Sequence, residues 1–283
     1  MTESDSHVLS VGDVELTIDL ATGARATRWL VDGLSLLATY GPASIGSGMY
    51  PMAPWAGRLR DNSVPVDGRP VALPVTNDGW ALHGTVLASH LVLIAHEQAK
   101  DHAHLTARTV EHDGWPWPMA VDISWDLRPR VLETTITVHA LSEPFPVVVG
   151  WHPWFARRLE RGDPIEWTMA ATAQAERGSD YLPTGAFLDY DPARGPFDDT
   201  FLVPDGRAQV KWPGALAVDI ECDSPWYVVF DQLPIAACVE PQSGPPNGVN
   251  DGLGRPIPVS APGRPHQLTT TWIMRDDLPG DPG

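Results

Sequence analysis

Residues 121–138 read VDISWDLRPRVLETTITV, and this stretch decides the fold class. Val121, Ile123, Trp125 and Leu127 alternate with Asp122, Ser124 and Asp126, which is the period of a half-buried strand. After the turn cluster Arg128-Pro129-Arg130 the alternation resumes, with Leu132, Thr134, Ile136 and Val138 set against Glu133, Thr135 and Thr137. The same period recurs at Val14, Leu16 and Ile18 near the start, and at Leu268, Thr270, Trp272 and Met274 near the end. Turn signals separate such runs at Asp67-Gly68, Arg161-Gly162-Asp163-Pro164, Pro204-Asp205-Gly206 and Trp212-Pro213-Gly214. No pattern of helical period runs beyond about two turns, and no repeat of about 20 to 50 residues is present. The 29 prolines act against helix interiors, because proline lacks the donor and clashes with the preceding turn. The reading predicts an all-β chain, a sandwich or a barrel, with one domain over residues 8–275 and loose tails at 1–7 and 276–283.

Composition narrows the function. Among 283 residues, 19 Lys and Arg stand against 36 Asp and Glu, a formal charge of −17. That field repels a phosphate backbone or an anionic membrane surface, so nucleic-acid and membrane partners are not expected. Only Lys100 and Lys211 are lysines, and the arginines are scattered. The start MTESDSHVLS has neither a basic nor an apolar leader region, and no apolar run approaches a membrane span. A cytoplasmic location is expected. Cys222 and Cys238 lie in apolar alternating segments and read as small buried thiols, not as a disulfide framework or a metal site.

Four segments set an ionisable side chain among glycine, proline and tryptophan, where backbone is constrained and water can be excluded. They are NDGWALHG (77–84), GWHPWF (150–155), GPFDDTF (195–201) and VEPQSGPP (239–246). Histidine exchanges protons near neutral pH, and a desolvated glutamate can be moved into the same range. His96, His102 and His104 lie in a polar stretch that reads as a hairpin tip, His139 sits on a polar strand face, and His112 precedes an Asp-Gly turn. The first three are read as that tip and not as a metal cluster, and the last two are expected to be solvated. No G-x-S-x-G elbow, P-loop or G-x-G-x-x-G is present.

Taken together and in this order, the four segments resemble the aldose 1-epimerase (galactose mutarotase) family. Leu82-His83-Gly84 is similar to the turn carrying the family's first histidine, and Trp151-His152-Pro153 to the second. Phe197-Asp198-Asp199-Thr200-Phe201 resembles the segment with the sugar-binding aspartate, with Asp198 aligning better than Asp199. Val239-Glu240-Pro241-Gln242 resembles that of the catalytic glutamate, and Pro54-Trp55-Ala56-Gly57-Arg58-Leu59 the segment whose arginine contacts sugar hydroxyls. Gly57 stands where the family often has Asn, and Pro153-Trp154-Phe155 replaces a Tyr-Phe-Asn run, which marks a shorter, divergent member. The resemblance implies a large antiparallel β-sandwich and a mutarotase that opens and closes the ring of a free aldose. It implies Glu240 as base, His152 as acid and His83 near the ring oxygen. Asp198 and Arg58 would hold hydroxyls, Trp80 or Trp151 would offer a ring face, and neither metal nor organic cofactor is implied.

Alternatives remain on the sequence alone. A hexose-6-phosphate 1-epimerase would add an arginine pocket, for which Arg58/Arg60 and Arg157/Arg158 are the paired basic sites near the motifs. A glycoside hydrolase would need two carboxylates but would leave both histidines idle. A non-catalytic carbohydrate-binding sandwich is the alternative from another class. The oligomeric state, monomer or homodimer, is open.

Overall fold

The alternation at residues 121–138 is a hairpin in the computed structural model, which describes residues 5–40, 45–109 and 114–278. His112 lies outside the described residues. Strands Met119–Arg128 and Val131–Ala140 pair antiparallel, with Val121 opposite Val138, Trp125 opposite Thr134 and Leu127 opposite Leu132. Burial alternates residue by residue along both strands, so one face is core and the other is polar.

This hairpin belongs to an eight-stranded antiparallel sheet. Its order is Glu166–Met169, Arg207–Trp212, Leu216–Cys222, His266–Asp276, Val131–Ala140, Met119–Arg128, Ala103–Thr109 and Leu91–Gln98. A twelve-stranded antiparallel sheet faces it. The path of that sheet runs Ser6–Val11, Val14–Asp19, Arg25–Val31, Met49–Met52, Gly150–Pro153, Ala236–Gln242, Trp226–Phe230, Asp198–Leu202, Ala173–Arg177 and Pro183–Leu188, with Leu34–Ser35 and Phe155–Ala156 alongside. Aromatic rings from the two sheets meet between them. Trp29 lies 5.9 Å from Trp272, Trp125 4.8 Å from Trp151 and Phe155 5.9 Å from Trp212, measured between ring centroids. A buried tryptophan removes roughly 150–250 Å² from water, about 4–6 kcal/mol at the usual apolar coefficient, so these contacts hold the sheets together. The core they belong to extends from Leu9 to Met274.

The helical segments among the described residues are three-residue 3-10 turns, and no helix is long and apolar enough to cross a membrane. The expected tail boundaries need correction. Ser6 and His7 belong to a strand whose ladder begins at Ser6 opposite Asp19. At the other end Asp276 pairs with Leu216 and accepts from Arg130 at 2.7 Å. Backbone pairing therefore reaches beyond the sequence segments that carry the apolar alternation.

Three adjacent strands in the middle of the large sheet depart from that alternation. Met49–Met52, Gly150–Pro153 and Ala236–Gln242 are buried at every position. One face packs into the core, and the other is covered by loops that leave a cleft.

Candidate active site

The cleft is assembled by strand order. Neighbouring strands carry Tyr50, His152, Glu240, Val228 and then Thr200, with His152 opposite Tyr50 and Glu240 opposite Val228 in register. Asp198, at the start of its strand, pairs with Phe230, and Arg177 ends the next strand outward. Side chains far apart in sequence thus line one cavity of about 240 Å³. Loops supply the rest. An isolated bridge joins Arg58 to Leu82 and another joins Ala53 to Gly84, which brings Arg58 and His83 over the sheet.

Two glycines make this loop geometry possible. Gly84 has φ +79, and a Cβ there would stand 1.9 Å from the Ala53 carbonyl oxygen. Gly57 has φ +73, and a Cβ there would stand 2.7 Å from the Pro246 Cβ. A left-handed backbone favours Gly or Asn, which explains why Gly57 can stand where Asn is common. His83 itself has φ +62. Its Nδ1 accepts from the Gly57 N–H at 3.3 Å, so the neutral ring carries its proton on Nε2 and is a donor there.

At the floor, His152 Nε2 lies 3.3 Å from Glu240 Oε1, and the Gln242 amide donates to Glu240 Oε2 at 3.1 Å. The imidazole is clamped between two rings, Tyr50 at 4.8 Å and Trp154 at 5.1 Å, both stacked on it, and His83 meets it edge-on at 5.0 Å. The Arg25 guanidinium lies over the Tyr50 ring, 4.5 Å from its centroid. Nearer the rim, Asp198 accepts from Arg177 at 3.1 Å and lies 3.9 Å from Arg58, while Asp199 accepts from Arg177 at 3.2 Å. Both guanidiniums lie over Tyr181, at 5.0 and 5.3 Å.

Burial controls the protonation of the floor. Desolvation pushes Glu240 well above the usual carboxylate range; Asp198 adds to the rise, and the Gln242 hydrogen bond and Arg58 oppose it. Desolvation, with a smaller push from the Arg25 charge, lowers His152 to about 3. Both shifts favour a neutral pair with its single proton on Glu240. In the sugar-free cleft the two are therefore not held as a carboxylate beside an imidazolium, since a buried ion pair loses more hydration than its attraction returns. His83 is also held neutral, by desolvation first and then by His152 and Arg58.

The structure brings Glu240, His152, His83, Asp198 and Arg58 into one cleft. It does not bring in Trp151 or Trp80. Trp151 is fully buried against Trp125 in the core, because successive strand residues face opposite sides and His152 already faces the cleft. Trp80 closes a turn onto Asn77 and is not part of the lining. Trp154, two residues after His152, is the tryptophan on the cleft side. That same alternation was the signal that could have found it. Arg177, Tyr181 and Tyr50 carried no sequence signal, as each is placed by strand pairing or loop course. Among the remaining histidines, His102 and His104 lie 2.8 and 3.6 Å from Asp126, and His139 lies 3.0 Å from Asp122. Cys238 is buried, Cys222 is half-buried, and both are free thiols.

The structure is similar to that of a galactose mutarotase-like protein from Clostridium acetobutylicum, with a TM-score of 0.83 and 17% identity over 95% of this chain and 94% of that one. An Escherichia coli K12 protein described as a candidate aldose 1-epimerase gives 0.81 and 20% over 96% and 99%. The GalM/aldose epimerase homologue of C. elegans gives 0.77 and 16% over 96% and 99%. At these identities the likeness is one of fold. No curated protein sequence matches the chain. The sequence itself matches the family model "Aldose 1-epimerase" over residues 16–255; with that match covering most of its length and all four motif segments, the chain belongs to the aldose 1-epimerase family.

Proposed function

We propose that this protein interconverts the α and β anomers of a free, uncharged aldose by acid/base ring opening and closure, without a cofactor. The observation that carries this reading is the 3.3 Å contact of His152 with Glu240 at the floor of a sugar-sized cleft. Mutarotation removes a proton from the C1 hydroxyl and adds one to the ring oxygen, which breaks the ring C–O bond and leaves an aldehyde. Rotation about C1–C2 and the reverse transfers give the other anomer. Two sites sharing one proton supply one acceptor and one donor at a time, each worth about 10²- to 10⁴-fold. Glu240 is the base and His152 the acid. In the empty cleft the proton rests on Glu240; sugar hydroxyls donating to the carboxylate favour its charged form and pass the proton to His152. His83 donates from Nε2 to the ring oxygen or an adjacent hydroxyl. Asp198 and Arg58 hold further hydroxyls, and Trp154 takes the ring-face role expected of Trp80 or Trp151.

The choice of an uncharged sugar rests on charge balance. Arg58 and Arg177, the arginines lining the cleft among the described residues, face Asp198 and Asp199. Arg60 pairs with Asp180 at 2.9 Å, and Arg157 donates to the carbonyls of Leu233 and Asp231. A phosphate entering this cleft would meet carboxylates as well as guanidiniums. Polarimetry of freshly dissolved α-glucose, α-galactose and glucose 6-phosphate tests the reading. Faster mutarotation of a free sugar is expected. Acceleration of the phosphate alone would transfer the protein to the sugar-phosphate epimerases, and tight sugar binding with no acceleration of any aldose would make it a binding module.

A further inference from the structure

Cys238 takes no part in the proton transfers and does not line the cleft, yet its buried thiol lies beside the two residues that do. It stands two residues before Glu240 on Ala236–Gln242, so strand alternation puts both side chains on one face. An imidazole nitrogen of His152, the Cys238 sulfur and a Glu240 carboxylate oxygen all lie within 4.8 Å of one another, and all three residues are buried. A triangle with no longer side holds a central ion within about 2.8 Å of each donor, so zinc's ligand distances of about 2.0–2.3 Å are reached by shifts under about 1 Å.

The donor chemistry is selective. Imidazole, thiolate and one carboxylate suit borderline and soft divalent cations, whereas magnesium and calcium require oxygen-rich shells. Three protein ligands leave a fourth position, and because His152 and Glu240 line the cleft that position opens onto the sugar space. Charge also balances. A thiolate and a carboxylate neutralise a doubly charged ion, so the occupied site buries no net charge, in contrast to the isolated ions that burial penalises. The Gln242 amide at 3.1 Å from Glu240 and the two rings clamping His152 already orient two of the three ligands, the role that outer groups play around metal sites.

We propose that His152, Cys238 and Glu240 form a binding site for a zinc-class divalent cation, which occupies the acid/base pair and shuts the enzyme off. The inhibitory consequence rests on the epimerase reading above; the binding site does not. Binding forms bonds from the metal to nitrogen, sulfur and oxygen and releases two protons, one from the Cys238 thiol and one from the Glu240–His152 pair. No oxidant or co-reactant enters. Because binding displaces these protons, occupancy strengthens as pH rises.

The test uses the full chain carrying Cys222→Ala as parent, so that one thiol remains, with Cys238→Ala and Cys238→Ser made in it. Titration with cadmium is expected to give a thiolate-to-cadmium ultraviolet charge-transfer band in the parent and none in either variant. In polarimetry, zinc but not magnesium is expected to inhibit competitively with sugar. Removing the thiol is expected to leave the metal-free rate intact and weaken zinc inhibition by about tenfold or more. No cadmium band in a folded parent, or the same zinc sensitivity in parent and both variants, overturns the site. If the protein turns over no sugar, the epimerase reading falls while the cadmium titration still decides the metal site, and agreement between the two variants separates lost ligation from lost packing.

Discussion

His152 Nε2 stands 3.3 Å from Glu240 Oε1, with both side chains shut off from solvent. The two residues come from neighbouring strands 88 positions apart in sequence, and Gly150 opposite Gln242 sets their register. A contact of this kind in water would hold an ion pair. Here desolvation favours the neutral form of both partners, which under the proposed mechanism leaves the pair one proton for the sugar to redistribute.

Replacing Glu240 with Gln keeps shape and hydrogen-bonding reach but removes basicity. Glu240→Gln is expected to lower kcat by about 10² or more while leaving sugar affinity within a few fold. Polarimetric kinetics beside a direct binding measurement check this, and wild-type turnover by the variant would move the base to Asp198 or Asp199.

Arg177 was invisible in the sequence, yet it donates to both Asp198 and Asp199. Arg177→Ala leaves Asp198 with only the longer 3.9 Å contact to Arg58. We expect KM to rise by about tenfold with a smaller fall in kcat, as for loss of an interaction that serves ground and transition states alike. An unchanged KM would show that Asp198 holds its position without this partner.

Trp151 and Trp154 face opposite ways and should separate cleanly. Trp151→Ala empties core space beside Trp125 and is expected to cost about 3–5 kcal/mol of stability, read by denaturant unfolding, with KM unchanged in the folded fraction. Trp154→Phe keeps a ring against His152 but removes part of the apolar face that lines the cleft; its effect is expected mainly in kcat/KM. The reverse pattern would reassign the two faces of the strand.

His266 is partly buried at the start of a strand, its Nε2 has no hydrogen-bond partner within the described residues, and desolvation lowers it to about 4. Its folded pKa lies below its unfolded one, so between about pH 6.5 and 4 the unfolded chain binds the extra proton and stability falls as pH falls. Above that window the residue contributes no slope. His266→Gln is expected to flatten part of the acid-side loss of stability; His152 and His83, lowered by the same cause, add to that loss, and Glu240, raised by it, opposes them. Denaturant midpoints measured across pH 4–7 check this, and identical slopes in both proteins would show that His266 is solvated.

Local order in the chain determined a great deal. The period-two pattern of residues 121–138 fixed a hairpin and its buried face, since a strand half-exposed to water must alternate. The motif segments around His83, His152, Asp198 and Glu240 were legible because ionisable residues flanked by Gly, Pro and Trp stand out from such alternation. Only the tertiary structure decided the rest. Strands buried on both faces lose the periodic signal, so Met49–Met52 and Ala236–Gln242 could not show which side chains meet the cleft. Partners such as Arg177 and Tyr50 come from strand order, which no local sequence pattern encodes. The protonation of His152 and Glu240 depends on how completely the fold removes water from them, a property of the assembled cleft and of neither segment alone.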